Sequence, residues 1–228
     1  MPKAYGLVDV IFDRGTIAMV KSKNRFSGVS ALLAEGNARM DLRMPEEAIP
    51  FYHQALERDS KNAEAWKLLG LASSLMKDHS KALRCFDQAT TLAPTDPDIW
   101  ENKGKVLAKD GRYPEALDCF DTALDNNPPD PAGIWNEKGL TWLLRGSDEE
   151  AIRCFDQALF LNPYLLESLA GKGMALCREG RLTEAISCYD QVLNLDPLYP
   201  KARTYRNIAL SRMEQYGGRQ QRQIKDFE

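Results

Sequence analysis

The chain lacks most of the features by which chemistry is recognised in a sequence. No run approaches the ~20 apolar residues that a membrane-spanning helix needs. Only two histidines occur in 228 residues. There is no HExxH-like spacing, no glycine-rich phosphate loop, and no serine, histidine and aspartate constellation. Charge of one sign is also missing: 30 basic against 33 acidic residues leave a net charge of -3, too balanced for the basic face that nucleic-acid binding requires. Residues 1–20 carry no concentrated positive region ahead of a long apolar run, and Asp9 and Asp13 interrupt what apolar sequence is there. These absences leave no enzyme, cofactor, metal, nucleic acid or membrane insertion to expect, and a cytoplasmic location is the default.

What is present is repetition. Five consecutive stretches follow one plan at 34-residue spacing. The clearest runs over residues 63–96, where Trp66 and Gly70 precede Ala82, Phe86, Ala89 and Pro94. The next copies give Trp100, Gly104, Ala116, Phe120, Ala123 and Pro128, then Trp135, Gly139, Ala151, Phe155, Ala158 and Pro163. Leu169, Gly173, Ala185, Tyr189, Val192 and Pro197 form the last copy, and Leu32, Gly36, Ala48, Tyr52 and Ala55 the first, with Ser60 in the proline place. The register slips once, by one residue at Pro128 to Pro131, in a loop that can absorb an insertion.

Each copy reads as two helices. Trp66, Leu69 and Gly70 share one face of the first, and Ala82, Phe86 and Ala89 share a face of the second. Small residues let the backbones approach, and the aromatic ring fills the space beside them. Asn162-Pro163 and Asp196-Pro197 end helices, while Gly111, Gly146 and Gly180 turn the chain within a copy. A single pair is too small to bury its apolar surface, so neighbours must stack into one quasi-linear core.

Over residues 29–199 this pattern resembles the tetratricopeptide repeat family. The resemblance implies an all-α fold, a right-handed α-α superhelix whose first helices line a concave groove. Family grooves take an extended or helical peptide from a partner. Transferred by position, the first copy supplies Leu33, Asn37, Met40 and Asp41, and the second Lys67, Leu71 and Leu75. The third supplies Glu101, Asn102, Lys105 and Lys109, the fourth Asn136, Glu137, Leu140 and Leu144, and the fifth Met174, Cys177 and Arg178. Leu71 and Leu75 lie toward one end, Leu140, Leu144 and Met174 toward the other, with Lys105 and Lys109 between. That arrangement suits a partner peptide with two apolar anchors and a carboxylate or other acceptor between them. The alternative is that the same leucines pack on neighbouring helices or on the protein's own termini. Some members of the family grip chaperone C-termini with a two-carboxylate clamp. Here Lys67 is in place, but Leu71 stands where an Asn belongs and Asp98 where a basic residue belongs; starting one copy earlier, Leu33 replaces the leading basic residue.

The remaining polar groups have plainer readings. Cys85, Cys119, Cys154 and Cys188 each precede the ring residue, so stacking sets them roughly 10 Å apart. A disulfide needs alpha carbons within about 7 Å, and zinc needs its thiolates around one point, which leaves packing as their role. Asp87, Asp121, Asp156 and Asp190 form a stripe along the second helices, with His53 at the same position in the first copy; a solvated face is the reading preferred over a catalytic row. Residues 1–28 contain Leu7, Val8, Val10, Ile11, Phe12 and Ile17 without the repeat signature. They are a candidate solenoid cap, or an element that brings copies of the chain together as a homo-oligomer. Residues 200–216 read as a capping helix, and 217–228 as a polar tail without fixed structure. Two functional classes follow: a scaffold for an unidentified protein or peptide, and a self-assembling array.

Overall fold

In the computed structural model, which describes residues 28–225 and side chains through Gln215, the chain is a row of helices with no strand among the described residues. Five antiparallel pairs follow one another: α1 (Val29–Asp41) with α2 (Pro45–Arg58), α3 (Ala63–Leu75) with α4 (His79–Leu92), and α5 (Pro97–Lys109) with α6 (Tyr113–Asp125). Then come α7 (Pro131–Arg145) with α8 (Asp148–Leu161) and α9 (Leu166–Arg178) with α10 (Leu182–Leu195), followed by a single α11 (Ala202–Lys225).

The boundaries have local causes. Asn62, Asp78, Asp96 and Asp130 each turn a side-chain oxygen onto an orphan backbone N–H of the helix that follows. Pro97 and Pro131 stand at the first helical position, where a missing N–H is harmless. Within the last three pairs the chain turns at Gly111, Gly146 and Gly180, all left-handed with φ of 79°, 91° and 79°. The first two pairs make the same turn with Arg43 and Lys77, at φ of 60° and 63°. The extra residue between the third and fourth copies is taken up by Asn127, also left-handed, ahead of Pro128 and Pro129.

Each pair is held by a ring set against a glycine. Tyr52, Phe86, Phe120, Phe155 and Tyr189 are essentially buried and lie over Gly36, Gly70, Gly104, Gly139 and Gly173 of the partner helix. A Cβ on Gly139 would come within 2.7 Å of the Phe155 ring. The core is therefore a file of buried clusters running from Leu32 to Val192 and Ala202. Cys85, Cys119, Cys154 and Cys188 are buried free thiols within it, as the packing reading expects.

Successive first helices touch one another, whereas no second helix touches the next. The first helices thus form the inner, concave wall, and the second helices splay on the outside: an α-α superhelix. The final helix departs from the sequence expectation. It continues past Tyr216 through Gly217 and Gly218 to Lys225, into the span read as a tail. The segment proposed as a cap or assembly element lies outside the described residues, apart from Gly28.

Candidate functional site

The concave wall is built by α1, α3, α5, α7, α9 and α11, and it divides the residues picked from the sequence into two groups. Several are spoken for internally. Asn37 accepts a 2.9 Å hydrogen bond from the Tyr52 hydroxyl. Lys67 pairs with Glu64 at 2.7 Å and reaches Asp98 at 4.0 Å. Lys105 pairs with Glu101 one turn before it, and the Asn102 amide donates to the Asp98 carbonyl at 2.7 Å. Asn136 is buried and accepts from Ser168 Oγ at 2.8 Å, tying α7 to α9. Arg178 donates to the Leu143 carbonyl at 3.0 Å and pairs with Asp148 at 3.1 Å, closing the end of α7 against the next repeat. Arg212 repeats the carbonyl contact of Arg178 one unit on, donating to the Cys177 carbonyl at 3.0 Å. Leu71 is half-buried between two core clusters, and Leu140 packs on a third.

The rest of the group is open. Leu75 and Leu144 are 61% and 62% exposed, at the same position of their repeats. Lys109 occupies that position between them; it is exposed and makes no hydrogen bond or salt bridge among the described residues. Opposite it lies Glu137, whose carboxyl burial pushes above the ordinary carboxylate range; Lys105 and Lys109 draw it back, and Glu101 adds to the rise. Met174, 38% exposed, and Leu140 meet at a recess of about 260 Å³ that Ala170, Tyr199 and Tyr205 complete, with Glu167 on its lining. The sequence reading gave Tyr205 to the face that the capping helix turns to the fifth repeat and did not single out Tyr199, which follows the last repeat's proline; neither stands at a position that carries a groove signature.

On the outer face the aspartate stripe is solvent-accessible, as expected, but it is not merely solvated. Asp87 pairs with Lys103 at 2.8 Å, Asp121 with Lys138, Asp156 with Lys172 at 2.6 Å, and Asp190 with Arg206. Each pair joins a second helix to the first helix of the following unit. Lys103 and Lys138 also lie over the rings of Trp100 and Trp135, at 5.2 and 4.9 Å. The basic partner is always the residue before the repeat's glycine, or its equivalent in α11, so a signal was there to be found. Among the described residues no group of three His, Cys, Asp or Glu side chains gathers to hold a metal, and no helix is long and apolar enough to cross a membrane.

Comparison with known proteins agrees with this architecture. Models of the tetratricopeptide repeat match residues 32–101, 76–131, 101–165 and 166–197. An uncharacterized protein of Methanocaldococcus jannaschii is 37% identical over 65 residues, 28% of this chain and 76% of that protein. Cellulose synthase operon protein C of Escherichia coli K12 is 36% identical over 101 residues, 43% of this chain but 8% of its own length. The chain spans about a tenth or less of several other curated relatives it matches, among them protein bimA of Emericella nidulans at 9%. Among solved structures, YrrB, described as a TPR protein with an unusual peptide-binding site, superposes with a TM-score of 0.60 at 23% identity, over 72% of this chain and 84% of its own. Five glycine-and-ring helix pairs stacked with their first helices inward, matched by repeat models from residue 32 to residue 197, place this chain in the tetratricopeptide repeat family.

Proposed function

We propose that the protein is a non-catalytic scaffold that holds a peptide segment of a partner protein in its concave groove. The observation that carries this reading is one repeat position followed along the wall: Leu75, Lys109 and Leu144, apolar, basic, apolar, all exposed. Large apolar side chains left in water in a concave surface favour a partner that covers them. The lysine between them, exposed and in no salt bridge among the described residues, favours a partner that brings a carboxylate. The recess at Leu140 and Met174 offers room for a further aliphatic or aromatic anchor. YrrB, whose fold is similar, is described as having a peptide-binding site, which shows that such an array can carry one.

Peptide-display selection against the full chain tests this. Selected peptides are expected to place an acidic residue between apolar ones, and to lose at least tenfold in affinity on Leu144→Glu or Lys109→Glu. Peptides whose binding is indifferent to both substitutions would move the binding surface off this wall.

A second reading, self-assembly, has its own observation. Phe160, Tyr164 and Leu198 are 83%, 72% and 88% exposed, at one edge of the last two repeats where the second helices hand over to the next unit. Light scattering over a wide concentration range tests it, on the full chain and on a variant with all three changed to serine. Mass that rises with concentration only in the unsubstituted chain supports assembly through this edge.

A further inference from the structure

The outer seams between repeats share one charge plan, and the first seam inverts it. At the second, third and fourth seams a lysine stands before the repeat's glycine and two carboxylates stand at equivalent positions around it. Asp87 and Glu115 flank Lys103, Asp121 and Glu150 flank Lys138, and Asp156 and Glu184 flank Lys172. The effect is felt at the neighbouring thiols: Cys119, Cys154 and Cys188 each experience one lysine and both carboxylates of their seam.

At the first seam all three positions differ. His53 stands for the aspartate, Leu69 for the lysine, and Lys81 for the glutamate. Leu69 can form no ion pair there, and a cleft of about 470 Å³ opens between α2 and α4 over α3. Its lining includes Trp66, Leu69 and Cys85 as the apolar part and His53, Lys81 and Arg84 as the nitrogen-bearing part. Lys81 and Arg84 pair with no carboxylate among the described residues. Asp87, which also lines the cleft, is engaged by Lys103 of the next seam. Cys85, alone of the four aligned thiols, feels two cations, Lys81 and Arg84, against a single carboxylate, Asp78, at the start of its own helix.

The cleft is thus a seam in which Lys81 and Arg84 stand without a paired carboxylate among the described residues, its lining Asp87 being held by Lys103, with the apolar Leu69 as floor where a lysine would stand. A ligand that supplies an acid pairs with Lys81 and Arg84, and an apolar side chain beside it covers the half-buried Trp66. The volume falls in the range of about 300–1,000 Å³ of ordinary ligand sites. We propose that this outer cleft is a second binding site, separate from the groove, for a partner protein's peptide segment that presents an Asp or Glu side chain next to a bulky apolar one.

The test uses an acetylated and amidated octapeptide, Gly-Ser-Asp-Leu-Phe-Asp-Ser-Gly, titrated into the isotope-labelled full chain. The Trp66 indole N–H, assigned through Trp66→Phe, is followed by NMR. Its signal is expected to move saturably, while the indoles of Trp100 and Trp135 at the equivalent positions of charged seams stay in place. The triple substitution H53D/L69K/K81E, which rebuilds the seam, is expected to weaken binding at least tenfold, and so is replacing both peptide aspartates by asparagine. Should the triple variant misfold, Lys81→Glu alone, a surface change, is expected to weaken binding about fivefold. No movement of the Trp66 signal at several millimolar peptide would overturn the proposal. So would equal binding of the asparagine peptide, or affinity unchanged in both variants. None of these substitutions touches Leu75, Lys109 or Leu144, so the groove reading stands or falls separately.

Discussion

Lys77 adopts a backbone conformation that the equivalent turns at Gly111, Gly146 and Gly180 give to glycine. Its side chain is exposed, so the positive φ is imposed by the turn between α3 and α4 and not by a contact. A left-handed residue with a Cβ costs on the order of 1–2 kcal/mol, of which glycine's greater freedom in the unfolded chain gives back part. Lys77→Gly is therefore expected to stabilise the protein by about 0.5–1 kcal/mol, read as a higher denaturation midpoint in urea with unchanged slope. A half-buried acid gives a second test at this scale. Because burial raises the Glu137 carboxyl above its ordinary value near 4.5, the folded state binds its proton more readily than the unfolded state does. Stability from this group is then lost as pH rises from the ordinary carboxylate range through the raised folded value. Glu137→Gln should raise the melting temperature at pH 7, and the gain should shrink as pH falls toward 4.5. A gain that stays constant with pH would remove ionisation as its cause.

At the scale of helices, the decisive contact is ring against glycine. Gly139→Ala forces a methyl to within 2.7 Å of Phe155, a fully buried ring with nowhere to go. We expect a loss of about 1–3 kcal/mol by chemical denaturation. Breaking an outer ion pair should matter far less: Asp121 is about half exposed, and Asp121→Asn is expected to cost no more than about 1 kcal/mol, a difference that fades in 1 M salt. These two contacts also show what was legible beforehand. Gly139 recurs in every copy and Phe155 recurs as Phe or Tyr, and a helix pair with one small and one large position can close in only one register, so the spacing alone announced the fold. The Asp121–Lys138 pair recurs as well, but it crosses between repeats. An aspartate stripe viewed by itself looks solvated, and its meaning appears only when the lysines of the next copy are laid beside it. Asn136 and Ser168 are harder still, 32 residues apart and unrepeated. Nothing periodic marks them, and a polar residue at a groove position reads as a ligand contact until its partner is seen. The end of α11 misled for another reason: Gly217-Gly218 signals a break when propensity is weighed alone, and propensity is a weak prior.

At the scale of the whole molecule, an array in which each unit touches only its neighbours has two ends and no closure. The far end is protected by α11. Ala202 and Ala209 are buried, Tyr205 stacks obliquely on Tyr189 with ring centroids 6.1 Å apart, and Arg206 pairs with Asp190. Without α11, Tyr189 and Val192 would face water, and the recess at Met174 would lose Ala202 and Tyr205 from its wall. Uncovering two large apolar side chains amounts to about 3–5 kcal/mol. In a linear array that loss falls first on the terminal pair. A chain ending at Pro200 should therefore unfold α9 and α10 ahead of the rest, seen as fast amide exchange from Leu166 to Leu195 while α3 to α6 keep their protection. If the exchange rates rise equally along all pairs, the array unfolds as one unit. The groove would then be a single rigid surface, not five loosely coupled segments.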